Sequence, residues 1–228
     1  MSPPYGASCS RSAPGRSALD EGVARTAVTS TDLPPDGRAA RSRRTRERLV
    51  GALYGLIREG DAEPSAADIA ARAGVSLRSF YVHFPSREDL HRDMARRATA
   101  RVVGLLTPID LGGDFAARVR DFAIQRELAN EELAPLRRAA ALQPASAALM
   151  LARDYGRQAS RDQIARVFAV ELDRFESGAR RRRVAALDAV ASGEGWDLLR
   201  TGHGLSPAEA RQVVAEAAAR LLAIQETA

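Results

Sequence analysis

Between Gly74 and Pro85 the sequence places Leu77, Arg78, Ser79, Tyr81 and His83 within seven residues, a set rich in hydrogen-bonding groups and poor in reactive ones. A guanidinium matches the O6 and N7 acceptors of guanine, a serine hydroxyl bonds to several base edges, and tyrosine, histidine and arginine reach phosphate oxygens. Elsewhere reactive chemistry is sparse. Cys9 is the only cysteine, which excludes intrachain disulfides and thiolate metal clusters. His83, His91 and His203 are far apart, without H-E-x-x-H spacing, and there is no G-x-S-x-G or phosphate-loop pattern. The expectation is no catalytic residue, no metal site, no cofactor and no enzyme.

Such residues are useful only if helices hold them outward. Leu49, Ala52, Leu53, Leu56 and Ile57 fall at i, i+3, i+4, i+7 and i+8 and predict a first amphipathic helix from about Arg41. Gly60 and Asp61 end it. Ser65 can cap a short second helix to Ala73, with Asp68 favouring the positive end of its dipole. Gly74 supplies a tight turn, and Ser76 can cap a third helix that Pro85 stops. Ile69, Val75, Phe80 and Phe84 would hold this third helix from behind, leaving the polar set facing outward as in a helix-turn-helix. Ser86 with Asp89 predicts a fourth helix, carried by Leu90, Met94, Ala98, Val102 and Leu105.

Further helices are expected around Phe115, Val119 and Phe122; around Ile164, Val167, Phe168, Leu172 and Phe175; and around Val184, Leu187, Leu198 and Leu199. The last starts at Ser206-Pro207-Ala208-Glu209, a capping box with proline at the first helical position. No strand pattern competes, so the fold class is all-α. Gly193 and Gly195 beside Trp196 point either to close helix approach at a dimer interface or to a bend. Residues 1–40, rich in Pro, Ser and Gly, read as a disordered tail. No apolar run reaches 18 residues and no secretory leader is evident, so a cytoplasmic protein with no membrane partner is expected.

Charge is unevenly distributed. All 34 basic residues are arginine, and residues 38–101 hold 14 of them against eight acids, whereas residues 102–228 are balanced. A basic excess confined to the segment with outward polar residues favours a polyanionic partner. The run Arg180 to Arg183 has Glu171, Asp173 and Glu176 before it and Asp188 after it, so local ion pairs can absorb it.

The stretch Asp68-Ile69-Ala70-Ala71-Arg72-Ala73-Gly74-Val75-Ser76, followed by Phe80-Tyr81-Val82-His83-Phe84-Pro85-Ser86-Arg87-Glu88-Asp89-Leu90, resembles the DNA-binding domain of TetR-family transcriptional regulators. The resemblance covers roughly residues 43–92. It implies a three-helix DNA-binding domain over residues 41–92, linked by a fourth helix to a helical effector-binding and dimerisation domain over residues 93–228. It also implies a dimeric repressor, joined through its last two helices and released from a near-palindromic double-stranded operator by a small-molecule effector. By position, the resemblance makes Leu77, Arg78 and Ser79 base readers, Tyr81, His83 and Arg87 phosphate contacts, and Ser65 the cap residue. Leu77 stands where a polar residue or arginine is common, so a thymine-methyl contact or none is expected there.

Arg41, Arg43, Arg44 and Arg46 sit at the start of the first helix, where positive charge opposes the dipole, so DNA phosphate or the minor groove would relieve them; a solvated arm is the plainer reading. Phe122, Tyr155, Phe168 and Trp196 are the candidate effector contacts, with plain core as the competing role. Two other functions stay open: a ligand-blind or architectural DNA binder of this fold, marked by a filled C-terminal core, and a helical small-molecule carrier or enzyme.

Overall fold

The computed structural model describes residues 37–143 and 145–223, so the tail expected over residues 1–40 lies, up to residue 36, outside them. All regular structure among the described residues is helical. The helices are α1 (Gly37–Arg58), α2 (Ala66–Ala73), α3 (Leu77–His83), α4 (Arg87–Leu105), α5 (Phe115–Ala141), α6 (Ala147–Val167), α7 (Ala169–Leu172), α8 (Ser177–Ala191), α9 (Gly193–Asp197) and α10 (Pro207–Leu222). A π-helical turn, Leu198–Gly202, continues α9. Helix α1 begins at Gly37 rather than at Arg41. None of these helices is long and apolar enough to cross a membrane.

Two hydrophobic cores form. In the first, Leu49, Leu53 and Ile57 of α1 pack with Ile69, Phe80, Phe84, Leu90 and Met94, the stripe that the spacing predicts. In the second, Val119 and Phe122 of α5 pack with Ile164, Phe168, Leu172, Leu187, Trp196 and Val214. Full burial of each such side chain contributes about 1.5–3 kcal/mol. Helix α5 belongs to both cores, because Leu136 and Ala139 near its C-terminal end join the first. It runs 27 residues, about 40 Å at 1.5 Å per residue, and passes through Pro135.

The single helix expected through Ile164, Phe168 and Phe175 is instead broken. Phe168 leaves helical geometry at φ −112° and ψ 27°, and only the four-residue α7 follows, because this bend drives the Phe168 ring against Phe122 at 5.2 Å between centroids. The helix expected through Val184 and Leu199 also divides, at Ser192, whose hydroxyl caps α9 through Gly195 N–H. Gly195 is required at that bend, since a Cβ there would collide with the carbonyl oxygens of Ala189 and Val190. Trp196 is thereby turned fully into the second core. Gly195 thus serves a bend within the chain.

A buried ion pair crosses the second core. Arg118 of α5 and Glu171 of α7, with side chains 7% and 6% exposed, meet in a two-pronged contact of 2.6 and 2.8 Å, and Arg118 also donates to the Val167 carbonyl at 2.7 Å. The hydrogen bonds from Arg118 outweigh burial and hold the Glu171 carboxyl below its ordinary pKa. A carboxylate with a depressed folded pKa adds stability that is present above the unfolded value of about 4.3 and lost as pH falls through the folded value. Glu171→Gln should therefore cost about 3–5 kcal/mol at pH 7, by leaving Arg118 buried and unpaired. It should also flatten the acid limb of the stability profile. The double variant Arg118→Met with Glu171→Leu should regain most of the loss; urea denaturation between pH 3 and pH 7 measures all three.

Candidate nucleic-acid interface

The turn between α2 and α3 is built by local rules. Ser65 Oγ accepts from Asp68 N–H, and the Asp68 carboxylate accepts from Ser65 N–H, a complete capping box. Such a cap contributes about 1 kcal/mol. Gly74 closes α2 in the left-handed region at φ 63°, with its N–H bonded back to the Ala71 carbonyl. Ser76 then caps α3 by accepting from Ser79 N–H at 3.1 Å.

Helix α3 is asymmetric. Phe80 and Phe84 are buried and their rings pack 6.2 Å apart, while Leu77, Tyr81 and Val82 are 44%, 55% and 71% exposed. Arg78 is exposed as well, whereas Ser79 and His83 are half-buried. The structure therefore brings Leu77, Arg78, Tyr81 and Val82 onto one open face, flanked by exposed Arg87 at the start of α4. Val82 was not among the expected outward residues. Its β-branched apolar side chain reads as core, and only its place on α3 opposite Phe80 and Phe84 marks it as exposed.

The arginines of α1 divide into two groups. Arg41, Arg43 and Arg44 are exposed, with Arg43 only loosely paired to Glu47 at 3.9 Å. Arg46 is instead held within the protein: Nε pairs with Asp93 of α4 at 2.7 Å, Nη1 donates to the His83 carbonyl at 2.7 Å, and the guanidinium stacks 4.2 Å from the Phe84 ring centre. It therefore acts as a clamp joining α1, α3 and α4. Arg48, which the sequence does not single out, donates to the carbonyls of Ala73 and Gly74 and pins the turn. Both contacts join residues far apart in sequence, so no local pattern announces them.

Two carboxylates tie these helices to the rest of the chain. Glu132 of α5 accepts from Tyr54 and Arg58 of α1 and from Arg101 of α4 at 2.7 Å. Burial pushes Glu132 toward neutrality, but the Arg101 and Tyr54 hydrogen bonds and the Arg58 charge bring its pKa below the ordinary value. Glu88 of α4 accepts from the Ser146 hydroxyl at 2.9 Å and from Ala148 N–H at the start of α6. Because the single Ser146 hydroxyl proton is committed to Glu88, its oxygen accepts from His91 Nδ1–H at 3.0 Å. Burial lowers the His91 pKa and favours that neutral form.

The four candidate effector contacts separate. Phe122, Phe168 and Trp196 are fully buried together in the second core, while Tyr155 on α6 is 65% exposed and outside it. The Arg180 to Arg183 run meets protein partners, with Arg180 paired to Asp173 at 2.6 Å and Arg183 stacked 3.7 Å from the Phe175 ring centre. Among the described residues no group of three or more His, Cys, Asp or Glu could hold a metal ion.

Residues 51–94 match the family model of bacterial regulatory proteins of the tetR family. Comparison with curated proteins gives no match. Among solved structures, a transcriptional regulator from Rhodococcus sp. Rha1 shares the fold with a TM-score of 0.61 at 22% identity, covering 78% of this chain and 95% of that one. The multidrug binding protein EbrR complexed with imidazole has a TM-score of 0.45 at 26% identity, covering 80% of this chain and 97% of that one. Its ethidium complex gives 0.46 at 24%, covering 79% and 99%.

The turn itself is testable. A Cβ at Gly74 would meet Arg48 Nη2 at 2.9 Å, and its backbone is left-handed. Gly74→Ala should cost about 1–2 kcal/mol of stability from the backbone alone and displace Arg48. Thermal unfolding together with a DNA-retention assay should report a lower melting temperature and weaker binding to every DNA sequence.

Proposed function

We propose that this chain, which carries the DNA-binding domain of the tetR family of bacterial regulatory proteins and acts in transcriptional regulation, is a dimeric cytoplasmic repressor released from a near-palindromic operator by a small-molecule effector. The observation that carries the DNA reading is the open face of α3, where Leu77, Arg78, Tyr81 and Val82 stand clear of a helix fixed from behind by Phe80 and Phe84. In a major groove, Arg78 reads guanine, Ser79 bonds a base edge at the helix start, and Leu77 and Val82 meet thymine methyl groups. Tyr81, His83 and Arg87 contact phosphates, and Arg43 and Arg44 reach the adjoining backbone or minor groove. Ser65 and Arg46 hold the helices that present these groups.

Dimerisation through α8 and α10 would place two such faces on successive half-sites. Exposed Ala185, Ala186 and Ala189 on α8 allow close helix approach in that arrangement. Effector binding in the C-terminal helices would shift the spacing of the two faces through α5 and through the Glu88 contact to α6. The complete burial of Phe122, Phe168 and Trp196 favours a second reading, a DNA binder of the same fold that answers to no effector.

Recovery and sequencing of genomic fragments retained by the purified protein tests the proposal. Enrichment of a few near-palindromic sites is the expected result, and uniform recovery would overturn sequence-specific regulation. On an enriched site Arg78→Ala should lose about 1–3 kcal/mol of discrimination against altered sites, with little change in stability. Tyr81→Phe should weaken binding to all sequences alike. Log affinity should fall against log salt by about 0.9 per phosphate neutralised, and light scattering should give the mass of a dimer.

A further inference from the structure

We propose that the seam between α5 and α6 at Arg126 binds a small organic acid, its carboxylate taken by Arg126 and a hydrogen-bond donor on the same molecule taken by Gln163. The regulatory meaning of this site rests on the effector reading above, whereas the binding itself does not.

Two arginines lie eight residues apart on α5 and reach opposite outcomes. Arg118 is saturated, with its guanidinium paired to Glu171 and bonded to the carbonyls of Gly113 and Val167. Arg126 has one hydrogen bond, from Nη1 to the neutral Ser160 hydroxyl at 3.0 Å, and its guanidinium lies 5.2 Å from the Phe122 ring centre. Its Nε–H is enclosed and meets no acceptor. Asp188 is linked to it only through Ser160, which donates to that carboxylate at 2.8 Å, and Asp188 is also shared with Arg161 at 3.8 Å. The electrostatics follow the geometry, since burial pulls the Arg126 pKa down to about 10 with only Asp188 acting against it. A buried donor on a cation without an acceptor is costly and calls for a partner.

One turn along the same seam a second polar atom is orphaned, and its orientation is fixed. The Thr107 carbonyl can only accept, so Gln125 must present its amide NH2 to it and its Oε1 to Gln163. Gln163 therefore donates its own NH2 to Gln125 at 2.5 Å, which leaves its Oε1 buried with no donor. Ser160 and Gln163 are neighbours on α6 at i and i+3, and they face Arg126 and Gln125, adjacent on α5. The seam thus holds an unmatched cationic N–H and, one turn along, an unmatched carbonyl oxygen. A hydroxylated carboxylic acid supplies the complementary acceptor and donor. Phe122 and Ile164, both fully buried in the adjoining core, favour an organic body over a strongly hydrated inorganic ion.

The test is titration calorimetry on the full chain with salicylate and 4-hydroxybenzoate as probes, set against 4-hydroxybenzamide and inorganic phosphate. At least one hydroxy acid should bind, the uncharged amide should bind about tenfold or more weakly, and phosphate should not compete. Arg126→Gln should lose about tenfold or more in acid affinity. The same variant without ligand should melt no lower than the parent, because an uncompensated buried cation has been removed. Gln163→Leu should abolish the preference for a hydroxylated acid over benzoate. The site is overturned if no acid binds, if amide or phosphate binds as well as acid, if Arg126→Gln leaves acid binding unchanged, or if that variant melts well below the parent. Acid binding through Arg126 without any change in DNA retention would sustain the site and overturn the effector-released repressor instead.

Discussion

The fold depends on one helix serving two cores. Near its N-terminal end α5 contributes Val119 and Phe122 to the core of the C-terminal helices, and near its C-terminal end it contributes Leu136 and Ala139 to the core behind α3. Packed interiors resist continuous deformation, so a rigid element shared by two of them cannot shift in one without consequence in the other. Glu132 strengthens the coupling, because one buried carboxylate collects Tyr54 and Arg58 from α1 and Arg101 from α4. Pro135 follows three residues later and lacks the N–H that would bond the carbonyl four residues back. The strut therefore has its least restrained point between its contributions to the two cores.

Around that strut, the positions of the arginines decide their roles more than their number does. Arg46 and Arg48 lie within five residues of Arg43 and Arg44 in sequence, yet they are consumed in holding α3 and α4 and the turn at Gly74. Arg118 and Arg126 share a helix, but one is matched by a carboxylate and the other by a hydroxyl. Desolvation makes that difference matter, since an exposed guanidinium loses little when unpaired and an enclosed one loses much.

The legibility of the sequence follows the same division between local and distant causes. The segment from Ser65 to Asp89 was readable because its determinants lie within four residues of each other: capping serines, an acid at the third helical position, a glycine at positive φ and aromatic residues at helical spacing. The C-terminal half was less so. Its alanine-rich helices have weak polarity contrast, Pro135 disguises the continuity of α5, and the breaks at Phe168 and Ser192 arise from where Phe168 and Trp196 must pack. The roles of Arg46, Arg126 and Glu132 depend on partners more than 30 residues away, beyond any periodicity. Val82 is the case where residue type misleads: its apolar side chain argues for the core, while its place two residues from both Phe80 and Phe84 puts it on the opposite, open face.

The exposed cations beside α3 are all guanidinium groups, and the whole chain contains no lysine. Acylation of lysine side chains, a common way of erasing positive charge from DNA-binding surfaces, has no substrate on this protein. Even methylation of an arginine would leave the charge in place and alter only its hydrogen bonding. The long-range attraction to a polyanion is thus set by the gene, and ionic strength is left as the ready means of tuning it.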